Sequence, residues 1–178
     1  RTSLIIEPED GRIPWTETGR EIRAAQRAAM AYPDMDENDG PEGRSLAERC
    51  MLSFASIVPF TPSLYNNTTQ IVQSPTHVMI LEMAHDARIV KIDGEHDAHG
   101  VPRWHGDSIG YYEGDTLVVE TINFHPEQVA RGSGYTSANA KITERFSRVN
   151  ERELRYQFTI EDPELYETPW TGELPMFA

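Results

Sequence analysis

The sequence predicts a mainly β fold: an antiparallel β-barrel with an N-terminal arm and one or two short helices. Three observations carry this expectation. From about residue 67 onward, apolar and polar residues alternate in runs of strand length. Two of the intervals between runs, Glu113-Gly114-Asp115 and Asn150-Glu151-Arg152, have hairpin-turn composition. Helical spacing is confined to the front third.

Residues 1–15 read as an arm, because Pro8, Gly11 and Pro14 interrupt Ile5, Ile6 and Ile13. Thr18 and Glu21 form a capping box ahead of Ile22, Ala25, Ala29 and Tyr32, so a helix is expected over 18–32, stopped by Pro33. Residues 33–44 are an acidic loop. Its Asp34, Asp36 and Asn38 imitate the start of a calcium loop, but Asp39 stands where that loop needs glycine and Ser45 where it needs glutamate. A second box, Ser45 and Glu48, opens a short helix over 45–52, and 53–66 is loop. The strands expected next are 70–73, 77–83, 87–92, 108–112, 116–124, 141–149 and 153–161. Pro163, Pro169 and Pro175 mark an irregular tail. The chain therefore reads as a single domain over 1–178, with arm, helices and loops over 1–66 and the barrel over 67–178.

Composition narrows the function. Asp and Glu total 29 against 16 Lys and Arg, a formal charge of −13. Such a surface repels phosphates, which argues against nucleic-acid partners and anionic lipid surfaces. No apolar run reaches the roughly 18 residues of a spanning helix, so membrane insertion is not expected. The lone Cys50 excludes an intramolecular disulfide and reads as a small core hydrophobe. No nucleophile elbow, phosphate loop or dinucleotide fingerprint occurs, and no cofactor is expected. His96, His99 and His105 cluster in one loop, where solvated side chains and a zinc site are alternative readings.

The candidates for chemistry are ionisable residues on apolar strand faces, since residues two apart share a face. Glu120 alternates with Val118, Ile122 and Phe124, and Glu144 with Ile142 and Phe146. His85 follows Met79, Leu81 and Met83. A carboxylate withdrawn from water is costly unless paired, and its pKa tends to rise, which suits general acid–base work near neutral pH. Two readings stay open. In one, His85, Glu120 and Glu144 face a lumen as proton donors and acceptors, Arg88 holds a developing anion, and Trp104 and Tyr112 form pocket walls. In the other, the carboxylates are paired with Arg88, Arg145 or Arg148, or face solvent. Tyr65, Asn67, Asp86 and Asn123 complete the expected ligand-binding set. Tyr156 lies on the Leu154, Phe158 and Ile160 face and reads as core.

Several segments together resemble a large family of bacterial proteins of unassigned activity, many of them exported. They are His85-Asp86-Ala87-Arg88, Gly106-Asp107-Ser108, Glu113 through Thr121 with Asn123-Phe124, Glu144-Arg145-Phe146, and Pro169-Trp170-Thr171. Tyr112 departs from the tryptophan common in that family before Glu113-Gly114-Asp115. The resemblance implies a periplasmic or secreted protein with a leader preceding Arg1, and implies little chemistry. The hairpin Tyr112–Phe124 is also similar to those of calycin-type (lipocalin-like) barrels, which bind small apolar ligands.

The resulting expectation is a cofactor-independent acid–base enzyme, a lyase, isomerase or hydratase acting on a small apolar or aromatic molecule. The alternative is a non-catalytic carrier of a small hydrophobic ligand, whose sign would be an apolar cavity without convergent ionisable groups. The arm is a further candidate for contacts between copies of the chain.

Overall fold

The computed structural model describes residues 4–31, 40–41, 44, 46, 48–52, 58–62, 67–82, 86–128 and 136–178. Among the described residues nine strands form one sheet: β1 (Ile5–Glu7), β2 (Thr69–Gln73), β3 (His77–Glu82), β4 (Asp86–Ile92), β5 (Asp107–Glu113), β6 (Thr116–Ile122), β7 (Lys141–Asn150), β8 (Glu153–Glu161) and β9 (Trp170–Phe177). The helix α1 spans Glu17–Ala31. Strand order is β1-β9-β8-β7-β6-β5-β4-β3-β2. The sheet curls into a half-barrel rather than closing: β1 and β2 end it on either side and do not pair with each other. It is also mixed, because β4 and β5 run parallel. The connection over 93–106 is what permits this, since parallel neighbours need a crossover where antiparallel ones need only a turn.

One row of alternating side chains faces inward along each strand. Val78 and Ile80, Val90, Leu117 and Val119, Ile142 and Phe146, Tyr156, Phe158 and Ile160, and Trp170 make up most of the core. Cross-strand register aligns these rows, with Leu117 opposite Phe146, Phe146 opposite Tyr156, and Ile142 opposite Ile160. At Gly172 the inward row carries no side chain. The Phe158 ring lies over that position, and a Cβ there would run into it.

Two elements were hidden by prolines and glycine. The expected irregular tail contains β9, whose inward positions Trp170, Gly172, Leu174 and Met176 alternate as a strand should. Pro175 is tolerated because the arm accompanies β9 only over residues 171–173, leaving the strand's outer side unpaired at residue 175. The arm likewise contains β1, held to β9 by Ile5–Gly172 pairing.

The helix begins one residue earlier than the capping box implied. Its cap is Thr16, whose Oγ1 accepts the Gly19 N–H at 3.0 Å and donates to the Glu164 carbonyl at 2.8 Å. The cap thus serves tertiary docking as well as helix initiation, and Trp15 packs on Tyr166 with ring centroids 4.9 Å apart. The described residues within 44–52 form turns in place of the expected second helix, and Cys50 is exposed, not core. The calcium-like Asp34, Asp36 and Asn38 lie outside the described residues. Helix α1 and the connection over 162–169 cover the end of the trough where β8 leads into β9. No helix among the described residues is long and apolar enough to cross a membrane.

Candidate functional site

The inward row of β7 runs Ile142, Glu144, Phe146 and Arg148, placing a carboxylate in the apolar core. Glu144 is completely buried, and so, nearly, is its partner Arg88 on β4. The two make a bidentate ion pair: Arg88 Nη1 donates to Glu144 Oε2, and Nη2 donates to Oε1 at 3.0 Å. Tyr156 on β8 donates its hydroxyl to Glu144 Oε1 at 2.7 Å. That hydroxyl in turn accepts the Phe60 N–H at 3.0 Å. The Phe60 ring stands 5.6 Å from the Arg88 guanidinium carbon. Burial, reinforced by the neighbouring Glu144 charge, raises the Tyr156 pKa well above its ordinary value, so the hydroxyl stays a donor. The network fastens the segment around Phe60 onto β4, β7 and β8.

A second polar cluster lies where the 93–106 connection meets β5. Asp107 accepts the Asp97 N–H at 2.8 Å, His96 Nδ1 lies at 3.1 Å, and Arg103 Nη1 at 3.3 Å. Burial alone would raise the Asp107 pKa, but these donors and the Arg103 and His96 charges outweigh it and hold the carboxyl below its ordinary range. The residues tie a long crossover to the start of β5. His105, by contrast, is pushed down chiefly by burial. Asp86, with its Oδ2 4.0 Å from His105 Nε2, opposes this, while Arg88 adds to it.

A cleft of about 680 Å³ opens at the end of the trough where β7 turns into β8, between the unpaired edge β2 and strands β8 and β9. Its apolar wall includes Phe60, Ile71, Leu154, Leu174 and Met176. Asn67 and Thr68 line one side, and Arg148, Glu151, Arg152 and Glu153 stand around the hairpin.

The structure separates the expected site residues. Arg88 and Glu144 come together. Glu120 does not join them: its partners Ile109 and Thr143 occupy the outward rows, opposite in parity to Val119 and Glu144. It is partly exposed and pairs with Lys141 at 3.2 Å. The shared face with Val118 and Ile122 is thus the outer one. Phe124 leaves it because Asn123 adopts a left-handed conformation (φ 59°), which re-aims the chain and sends Phe124 into the core. Trp104 stacks on His125 with ring centroids 4.1 Å apart. Tyr112 is half exposed, and its hydroxyl accepts from Gln73 at 2.6 Å. Asp86 sits at the start of β4 near His105, and Asn67 lines the cleft. His85 and Tyr65 lie outside the described residues. Among the described residues, no group of three or more His, Cys, Asp or Glu side chains is placed to hold a metal ion. Sequence reasoning missed the polar role of Tyr156 and the cleft wall supplied by β9. The alternation of Trp170, Leu174 and Met176 was the signal for the latter.

The chain matches no protein-family model, no curated protein and no solved structure.

Proposed function

We propose that the chain is a binding protein for a small apolar or aromatic molecule, held in the cleft between β2 and strands β8 and β9. The observation that carries this reading is the cleft itself: about 680 Å³ with an apolar wall, a volume suited to a small ligand. The buried Arg88–Glu144–Tyr156 network does not line the cleft, whereas Phe60 does, and its Glu144 carboxylate and Tyr156 hydroxyl are bonded within the protein interior. What weighs against a joint acid–base role for Glu120 and Glu144 is that they stand on opposite faces of the sheet. The carrier reading needs only shape and apolar surface, and the cleft supplies both.

The test is titration with the neutral fluorophore N-phenyl-1-naphthylamine. Saturable fluorescence enhancement is expected for the wild type, and loss of it in Leu174→Arg, which puts a charge into the apolar wall. Equal enhancement in that variant, with folding verified by circular dichroism, would place binding elsewhere and sink the proposal.

A further inference from the structure

We infer that the ligand is a free amphiphilic anion, an aliphatic or aromatic carboxylate whose head group is met by Arg148. This rests on the reading of the cleft as a binding site. The register carries the argument. Arg148 occupies the inward row of β7, opposite Leu154 of β8, which is itself opposite Met176 of β9. One transverse row of the cleft thus runs from a cation to two apolar side chains. The next row inward, Phe146–Tyr156–Leu174, is apolar apart from the Tyr156 hydroxyl, which is committed to Glu144.

Arg148 differs from its neighbours on the same hairpin. Arg145 pairs with Glu113 and Arg155 with Glu173, whereas Arg148 has no carboxylate partner among the described residues. The other charged groups lining the cleft are placed differently. Glu151 and Arg152 occupy the turn, and Glu153 is on the outward row, accepting from Asn150 Nδ2 at 3.0 Å. In a chain of charge −13, long-range attraction of anions is not available. A local guanidinium acts within the Debye length, about 8 Å at physiological salt, where a carboxylate can take two parallel hydrogen bonds. A neutral ligand would leave that fork unused, and a cationic one would be opposed by it.

The experiment is displacement of N-phenyl-1-naphthylamine from the full chain by decanoate and by 1-decanol, at fixed salt and about pH 7. These ligands share a chain length and differ in head group. Arg148→Gln is expected to weaken decanoate about tenfold, the loss of a charge-assisted hydrogen-bonded contact, and to leave decanol within about twofold. Arg148→Lys should recover part of the decanoate affinity, since it keeps the charge but not the fork. Arg155→Gln, which removes a guanidinium from the outward row of the same hairpin and outside the cleft lining, should leave the decanoate-to-decanol ratio unchanged. If both ligands displace the fluorophore and Arg148→Gln leaves their ratio untouched, the anion assignment is wrong while the cleft stands. If neither ligand displaces it, the cleft reading fails and takes the assignment with it.

Discussion

Glu120 and Glu144 are near equivalents in sequence, each a carboxylate alternating with apolar residues on a central strand. In the folded chain they meet opposite conditions. Glu144 is sealed in the trough against Arg88 and Tyr156, while Glu120 lies on the outer surface beside Lys141. What separates them is one step of register, because adjacent strands place Val119 opposite Glu144 and Thr143 opposite Glu120. The same residue type therefore serves as a core anchor in one place and as a solvated ion pair in the other.

The largest effect is expected at the buried member. Glu144→Ala leaves the Arg88 guanidinium buried without its carboxylate, which should cost about 3–5 kcal/mol. Urea unfolding would measure it, and a loss below about 1 kcal/mol would show that water reaches the pair. Ion pairs of this kind are weak evidence for net stability, because two desolvated charges offset much of their own attraction. The combined variant Arg88→Met, Glu144→Leu, Tyr156→Phe should therefore recover part of what Glu144→Ala loses, the remainder being the Phe60 N–H left without its acceptor.

Tyr156→Phe isolates the hydroxyl. Without it the Phe60 N–H loses its acceptor and Glu144 loses a donor, for an expected cost of about 1–3 kcal/mol. A loosened Phe60 would also disturb the cleft wall. Fluorophore affinity should then fall in Tyr156→Phe, although the altered atom does not line the cleft.

Much of this contrast was legible before the structure. The strand runs, both hairpins and the grouping of Glu144 with Ile142 and Phe146 on one face follow from alternation alone, because a two-residue period fixes which residues share a face. Alternation does not say which face is inside. Val118, Glu120 and Ile122 do share a face, and Val118 is completely buried, but the row carrying Leu117 and Val119 is the one facing the trough. Barrel closure was not legible, because it depends on whether β1 and β2 meet, and both are short and irregularly flanked. The cleft was missed because β9 carries Pro175 at a site where the strand has no outer partner. Local breaker chemistry there concealed a strand that tertiary pairing sustains.

Titration offers a smaller test, at the two polar sites flanking the trough. Burial holds the folded His105 pKa below 6.5, so the unfolded chain takes up the proton first. Stability should fall as pH drops below about 6.5 and level off beneath the folded pKa, and His105→Gln should flatten that decline. Asp107 works in the opposite sense. Its carboxyl is held below 3.8, so its contribution is complete above that value and is lost as pH falls through the folded pKa. Asp107→Asn should remove the second, more acidic decline and leave the first. Urea midpoints between about pH 2.5 and 7.5 would resolve the two, and an unchanged slope near pH 6 in His105→Gln would assign it to another group.

The smallest effect belongs to Glu120. Its 3.2 Å contact with Lys141 is partly exposed on both sides, so high dielectric and side-chain entropy leave it worth about 0–1 kcal/mol. Glu120→Gln should therefore shift the urea midpoint barely, and by less still in about 1 M salt, where the Debye length shrinks to about 3 Å. The pair tests register as much as energy. A Glu120→Gln loss as large as that of Glu144→Ala, insensitive to salt, would mean that Glu120 faces the trough, and the inward and outward rows of β6 would have to be exchanged. Equal loss of fluorophore binding in the two variants would point the same way, because only an inward Glu120 lies near the trough interior.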